Sequence, residues 1–166
     1  GRVRGVEGTA ATVLSGFTIR NGKAPSGGGI YCYGASPAIL NNRITGNTAT
    51  TVGAGITIAS SSGVVASCLI VSNSGAQAGS GIYCTGGSPR LVNNTVVGSS
   101  SVSQGAIVLS GTSAVLANSI IASNSSGVVK GGGTPSLKNN CVFGNTAYDY
   151  AGFVTDPTGT DGNISE

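Results

Sequence analysis

The sequence predicts an all-β fold: a parallel β-helix, or solenoid, of about six coils with three short strands in each. Three observations carry the prediction. Gly, Ser, Thr and Asn make up close to half of the 166 residues, and Met and Trp are absent, so the chain lacks good helix formers and is full of turn residues. A Gly-led phrase returns about every 25 residues, and a second phrase built on paired asparagines keeps step with it. At 39% hydrophobic and 8% charged, the composition is that of a folded chain.

The first phrase reads Gly29-Ile30-Tyr31-Cys32-Tyr33 and returns as Gly81-Ile82-Tyr83-Cys84-Thr85, with Gly55-Ile56-Thr57-Ile58-Ala59 between them. Later copies are Gly105-Ala106-Ile107-Val108-Leu109, Gly127-Val128-Val129-Lys130 and Gly152-Phe153-Val154, and Val3 fits as an earlier member. Strand alternation puts Ile30 and Cys32 inward and Tyr31 and Tyr33 outward. On this alignment the outward column runs Tyr31, Thr57, Tyr83, Ile107, Val129, Val154, beside Tyr33, Ala59, Thr85 and Leu109.

The second phrase reads ILNNRITGN from Ile39, LVNNTVVGS from Leu91 and LKNNCVFGN from Leu137. It sets up an aliphatic column of Leu14, Ile39, Val65, Leu91, Leu116 and Leu137. Another column runs Ile19, Ile44, Ile70, Val96, Ile121 and Val142. Between them lie Phe17, Asn42, Cys68, Asn94, Ser119 and Asn140. Strands this short cannot build a sandwich at so regular a step. Coiling solves the problem, because each strand pairs with its copy one turn above and below. Inward Asn42, Asn94 and Asn140 then bond the backbone of the next coil, as stacked amide ladders do.

The phrases SGFTIRNG, GGGIYCYGASP and NNRITGN resemble the right-handed parallel β-helix repeats of pectin-lyase-like proteins, and the likeness covers nearly the whole chain. The resemblance implies the fold, and it leaves function open among lyases, hydrolases, phage spikes and adhesins. Relatives that cleave pectate have Asp-rich Ca²⁺ sites and a basic residue that removes the proton. Those that hydrolyse polygalacturonan use clustered Asp carboxylates. Neither constellation is present: Asp149, Asp156 and Asp161 are the only late candidates and read as solvated loop acids, and Arg43 and Arg90 have no carboxylate in their periods. The expectation is no catalytic residue, no metal and no cofactor. The stretch from Asp156 to Ser165 resembles a connection that in relatives leads into further coils, so residues 1–166 are expected to form one domain, an excerpt of a longer solenoid or a unit that stacks.

Net charge is +3, and the acids are Glu7, Asp149, Asp156, Asp161 and Glu166, so residues 8–148 hold no carboxylate side chain. Arg20, Lys23, Arg43, Arg90, Lys130 and Lys138 are too scattered for a phosphate-tracking stripe, so no nucleic-acid partner is expected. No apolar run is long enough for a membrane-spanning helix. The cysteines Cys32, Cys68, Cys84 and Cys141 form no C-x-x-C pair and His is absent, which disfavours zinc. Cys32 and Cys84 fall two rungs apart in one column, ~9.6 Å, beyond disulfide reach, so four free thiols are expected. Sequons at Asn93, Asn124 and Asn163 are common by chance in so polar a chain.

Two uses are expected of the outward face of the first strand. Tyr31, Tyr33 and Tyr83 offer a stacking platform for sugar rings, while Ile107, Leu109, Val129 and Val154 suit burial against a protein. No amphipathic helix is predicted at either end to cap the coils, and uncapped coils can stack. The expected role is a noncatalytic, extracellular or cell-surface structural or adhesive module. It would associate with itself end to end, or through the apolar face of the first sheet, into a fibre or layer. The alternative is a polysaccharide-binding module of a larger carbohydrate-active protein.

Overall fold

The computed structural model describes residues 3–4, 12–75, 77–153 and 155–165. It is an all-β parallel solenoid of about six turns, with no helix among the described residues. Strands of two to five residues stack into three main parallel sheets. The first has seven strands, among them Ile30–Tyr33, Ile56–Ala59, Ile82–Thr85 and Ile107–Ser110. The second has six, from Val13–Ser15 to Ser136–Lys138. The third also has six, from Thr18–Arg20 to Cys141–Phe143. A return segment leads from the third sheet back to the first. It pairs as a short sheet, Lys23–Ser26 on Thr48–Val52, and continues as single bridges through Ser74 and Ser100.

The interior is built from the predicted columns. Ile39, Val65, Leu91 and Leu116 sit directly above one another, as do Ile44, Ile70, Val96 and Ile121, and all are fully buried. The turn between the second and third sheets needs a left-handed residue in each coil. Asn41, Ser67, Asn93, Asn118 and Asn139 supply it, with φ of 50° to 56°. Asn tolerates that region because its side chain can bond locally.

The residue after each of these turns inward. Asn42, Asn94 and Asn140 form the predicted ladder. The Asn94 side-chain oxygen accepts the Cys68 backbone N–H at 3.0 Å, and its amide donates to the Val65 carbonyl at 2.9 Å. Asn140 repeats the pattern on Ser119 and Leu116. Asn163 adds a further rung above it, and Ile164 bridges to Cys141, so part of the closing stretch docks onto the coil below.

A second ladder, which the sequence analysis did not single out, stands five residues further along each coil. It runs through Asn47, Asn73, Ser99, Asn124 and Asn145. Thus every coil is pinned to the next on both sides of the third sheet. Two of the three sequon asparagines, Asn124 and Asn163, are buried ladder members, while Asn93 is exposed.

One part of the predicted register is wrong. Ile107, not Ala106, pairs with Ile82, and Tyr150, not Phe153, follows Val128. Gly105 is the equivalent of Gly79 rather than Gly81, and the coil is one residue shorter just after it. The Ala106 carbonyl absorbs the deletion by accepting both the Gly81 and Ile82 N–H groups at 2.9 Å. The interior then closes at the upper coils with an edge-to-face aromatic pair, Tyr150 and Phe153, at 6.0 Å between ring centroids.

The ladders give a direct test. Asn94→Ala strands a buried N–H and a buried carbonyl and is expected to cost about 2–4 kcal/mol in chemical denaturation. Asn93→Ala, in the left-handed turn, is expected to cost about 1 kcal/mol, and Asn93→Gly close to nothing. Equal losses at Asn93 and Asn94 would contradict the ladder.

Candidate functional site

The surface offers three outer faces, and side-chain alternation decides what each displays. On the first sheet, Tyr31, Thr57 and Tyr83 share one outward column as predicted. The two tyrosines are half-buried and two rungs apart, ~9.6 Å. Tyr33 stands clear at 59% exposure.

The predicted protein interface is not on this face. Ile107 and Leu109 are fully buried core residues that stack inward on Ile82 and Cys84. The one-residue deletion after Gly105 is the cause, because a slip of one residue turns every side chain of a strand to the other face. Val108 takes the outward place instead, followed by Val129. Val154 lies outside the described residues.

Even the outward apolar residues here are mostly covered. Thr57 and Val108 are 2% exposed and Val129 9%. The return segment lies over them. Gly53 sits so close to Thr57, and Gly105 to Val108 and Val129, that a Cβ at either glycine would run into those side chains. Both glycines have positive φ, and so do Gly27 and Gly79 at the same place in their coils. The Thr57 hydroxyl donates to the Val52 carbonyl at 3.2 Å, which ties the segment down. What stays open on the first sheet is the tyrosine group.

No such cover lies over the third sheet. Its outward columns begin with Thr18, Arg20, Arg43 and Thr45 in the first two coils, all polar. Higher up they become Leu69, Val71 and Val97, then Ile120 and Phe143. Ile120 is 44% exposed, Phe143 41% and Ile164 56%. A hollow of about 180 Å³ opens among Cys141, Phe143, Ile164 and Ser165. The sequence held the signal. If Ile44, Ile70 and Val96 point inward, the residues on either side of each must point outward.

Two of the late acids, Asp149 and Asp156, have carboxylates bonded within the upper coils. The Asp149 carboxylate ends the second ladder, accepting the Asn145 side-chain amide at 2.7 Å and the Ser165 hydroxyl at 2.8 Å. That corrects its reading as a solvated loop acid. Asp156 accepts the Thr158 N–H at 2.8 Å, which holds its carboxyl below the usual range. Among the described residues, no group of three or more His, Cys, Asp or Glu side chains is arranged to hold a metal ion.

All four cysteines are free thiols. Ile58 occupies the rung between Cys32 and Cys84 and keeps them apart. Burial pushes the Cys32 thiol up to about 11 and the Cys84 thiol up to about 12, the latter helped by repulsion from Cys32. Cys68 is also raised by burial, with its bonds to Asn42 and Ala66 opposing. Cys141 faces outward and is half-buried.

A family model described as "Right handed beta helix region" matches residues 4–121. The chain belongs to this family. The family name fixes the hand of the coil and leaves the activity open, since function resides in sites carried by a fold. Neither a curated protein nor a solved structure matches the chain significantly.

The thiols yield a pH prediction. In the unfolded chain a cysteine ionises near 9.0, whereas folded Cys32 holds its proton to about 11. The folded state therefore binds more protons above pH 9, and stability is expected to fall as pH rises from there. Melting temperature should stay level below that point and decline above it, and less steeply in Cys32→Val/Cys84→Val. In native protein at neutral pH, a maleimide should label Cys141 first, and the other three only on unfolding.

Proposed function

We propose that the chain is a noncatalytic extracellular structural or adhesive β-helix module that associates end to end with copies of itself. One observation carries this reading: the polar side chains held inside the coil are spent on bonds from coil to coil. Asn42, Asn47, Asn73, Asn94, Asn124 and Asn140 each bond the backbone of a neighbouring coil. Such a molecule is a rod by construction, and its polar chemistry serves stacking.

The same bonding can extend past the described coils. Val13–Ser15 and Thr18–Arg20 at one end, and Ser136–Lys138 at the other, each have a single strand neighbour among the described residues. Val13 and Phe17 beside the lower edges are 65% and 58% exposed. A coil of a second copy fits there through ordinary parallel pairing. The first-sheet apolar face, the other route expected from sequence, drops out because Ile107 and Leu109 are core.

Light scattering should show a mean mass that keeps growing with concentration, with filaments in electron micrographs. Val13→Lys/Phe17→Lys should stop the growth without lowering the melting temperature. A single monomeric species at every concentration, with no filaments, would overturn the proposal.

The exposed Tyr33, with Tyr31 and Tyr83 half-open beside it, favours a second reading, that of a polysaccharide-binding module. Aromatic faces at that spacing suit stacking on sugar rings. Tyr31→Ala/Tyr33→Ala/Tyr83→Ala should then lose retention on an insoluble glycan, and unchanged retention removes this reading.

A further inference from the structure

We propose that Asn93 is the acceptor of an N-linked glycan, and that the other two sequon asparagines, Asn124 and Asn163, are not. The proposal rests on the extracellular reading above, since such glycans are added to chains that enter a secretory compartment. It names a modification site, and its test is separate from that of self-association.

A sequon needs an asparagine amide and, two residues on, a hydroxyl. Where side chains alternate in and out, residues two apart share a side, so the two groups are shown together or hidden together. At Asn93-Asn94-Thr95 the middle residue is a buried ladder member. Its inward turn puts both sequon groups outside. Asn93 is exposed at the left-handed corner, with φ of 56°, and Thr95 is half-buried on the third sheet beside inward Val96. The ladder bonds of this rung all go to Asn94, which leaves the Asn93 amide to solvent.

The other two sequons stand in the opposite phase. Asn124 and Ser126 are both buried, with half-buried Ser125 between them. The Asn124 amide donates to the Val96 carbonyl at 3.1 Å and to the Asn145 side-chain oxygen at 2.9 Å. Buried Asn163 donates to the Leu137 carbonyl at 3.0 Å, and the Ser165 hydroxyl donates to Asp149 at 2.8 Å. A glycan on Asn124 or Asn163 would break a ladder rung.

Asn41, Asn118 and Asn139 occupy the same corner in other coils, and two residues after them come Arg43, Ile120 and Cys141. Of these corner asparagines, Asn93 alone is followed at that distance by a hydroxyl. The modification is a group transfer. In the site of the host's transferase, the Asn93 Nδ2 attacks the anomeric carbon of an oligosaccharide carried on a lipid diphosphate. A C–N bond forms and the C–O bond to the diphosphate breaks. The lipid diphosphate leaves with the bonding electron pair, and Nδ2 gives up one proton to a base of that enzyme. With Asn41 and Ser67 below it and Asn118 and Asn139 above it, Asn93 stands near mid-length on the edge shared by the second and third sheets. A bulky, solvated sugar there crowds both of those outer faces and leaves the coil ends clear.

The full chain, secreted from a eukaryotic host, tests this by intact mass and by peptide mapping after peptide N-glycosidase, which turns a glycosylated Asn into Asp. The expected result is a glycan on Asn93 and on neither Asn124 nor Asn163. Thr95→Val keeps a β-branched side chain in the strand and should abolish the glycan. Asn93→Gly suits the left-handed corner, should abolish it too, and carries the test if Thr95→Val fails to fold. Ile120→Thr puts a hydroxyl two residues after exposed Asn118 and should add a second glycan there. Asn93 unmodified in the secreted protein, a glycan on Asn124 or Asn163, a glycan on Asn93 that survives Thr95→Val, or no gain with Ile120→Thr would each overturn the proposal. Light scattering of the same sample reads stacking separately. Glycosylated monomers would leave the site standing and remove the stack, and growing species with Asn93 unmodified would do the reverse.

Discussion

A buried amide must find hydrogen-bond partners, and inside this coil the only ones within reach are the backbone groups of the next rung. That requirement governs the rest of the structure. Aliphatic columns alone tolerate exchange among Ile, Leu and Val and fix height poorly. An inward Asn is exacting. Asn94 must meet both the Cys68 N–H and the Val65 carbonyl, and a slip of one residue would strand all three groups. With a second ladder five residues on, the third sheet is held at both margins. Its strands can then be only three residues long and still keep register.

This constraint explains how much could be read from sequence alone. The period, the aliphatic columns and the first ladder were legible because one residue type recurs at one phase. The second ladder was equally visible in the steps from Asn42 to Asn47 and from Asn140 to Asn145, but the eye stops at the doubled asparagines. The fourth coil of the first sheet was illegible for a physical reason. Its deletion falls in a Gly-rich turn, where Gly105 matches the equivalent of Gly79 or of Gly81 equally well. The pairing of Ala78 with Gln104 below the turn and of Ile82 with Ile107 above it resolves the choice. Burial of outward Thr57 and Val108 was also beyond reach, since it depends on how the return segment folds back.

The return segment is the variable part of each coil. It is long where Asn47 leads to Ile56 and Asn73 to Ile82, and very short where Asn124 leads to Val128. Loops tolerate such change better than the strands they join. Its effect is selective, because it reaches the first sheet and not the third. The same kind of outward residue is therefore sealed on one face, as at Val108, and open on the other, as at Ile120.

Strand propensity does not account for the open aliphatics. Short parallel strands favour β-branched residues, which would explain Val71 and Val97. Thr meets that preference equally well, and Thr18, Thr45 and Thr95 occupy the same two columns. The fold thus accepts a polar residue at these positions, yet from the third coil upward most of them carry Leu, Val, Ile or Phe. Leu69 is not β-branched and gains little from propensity alone.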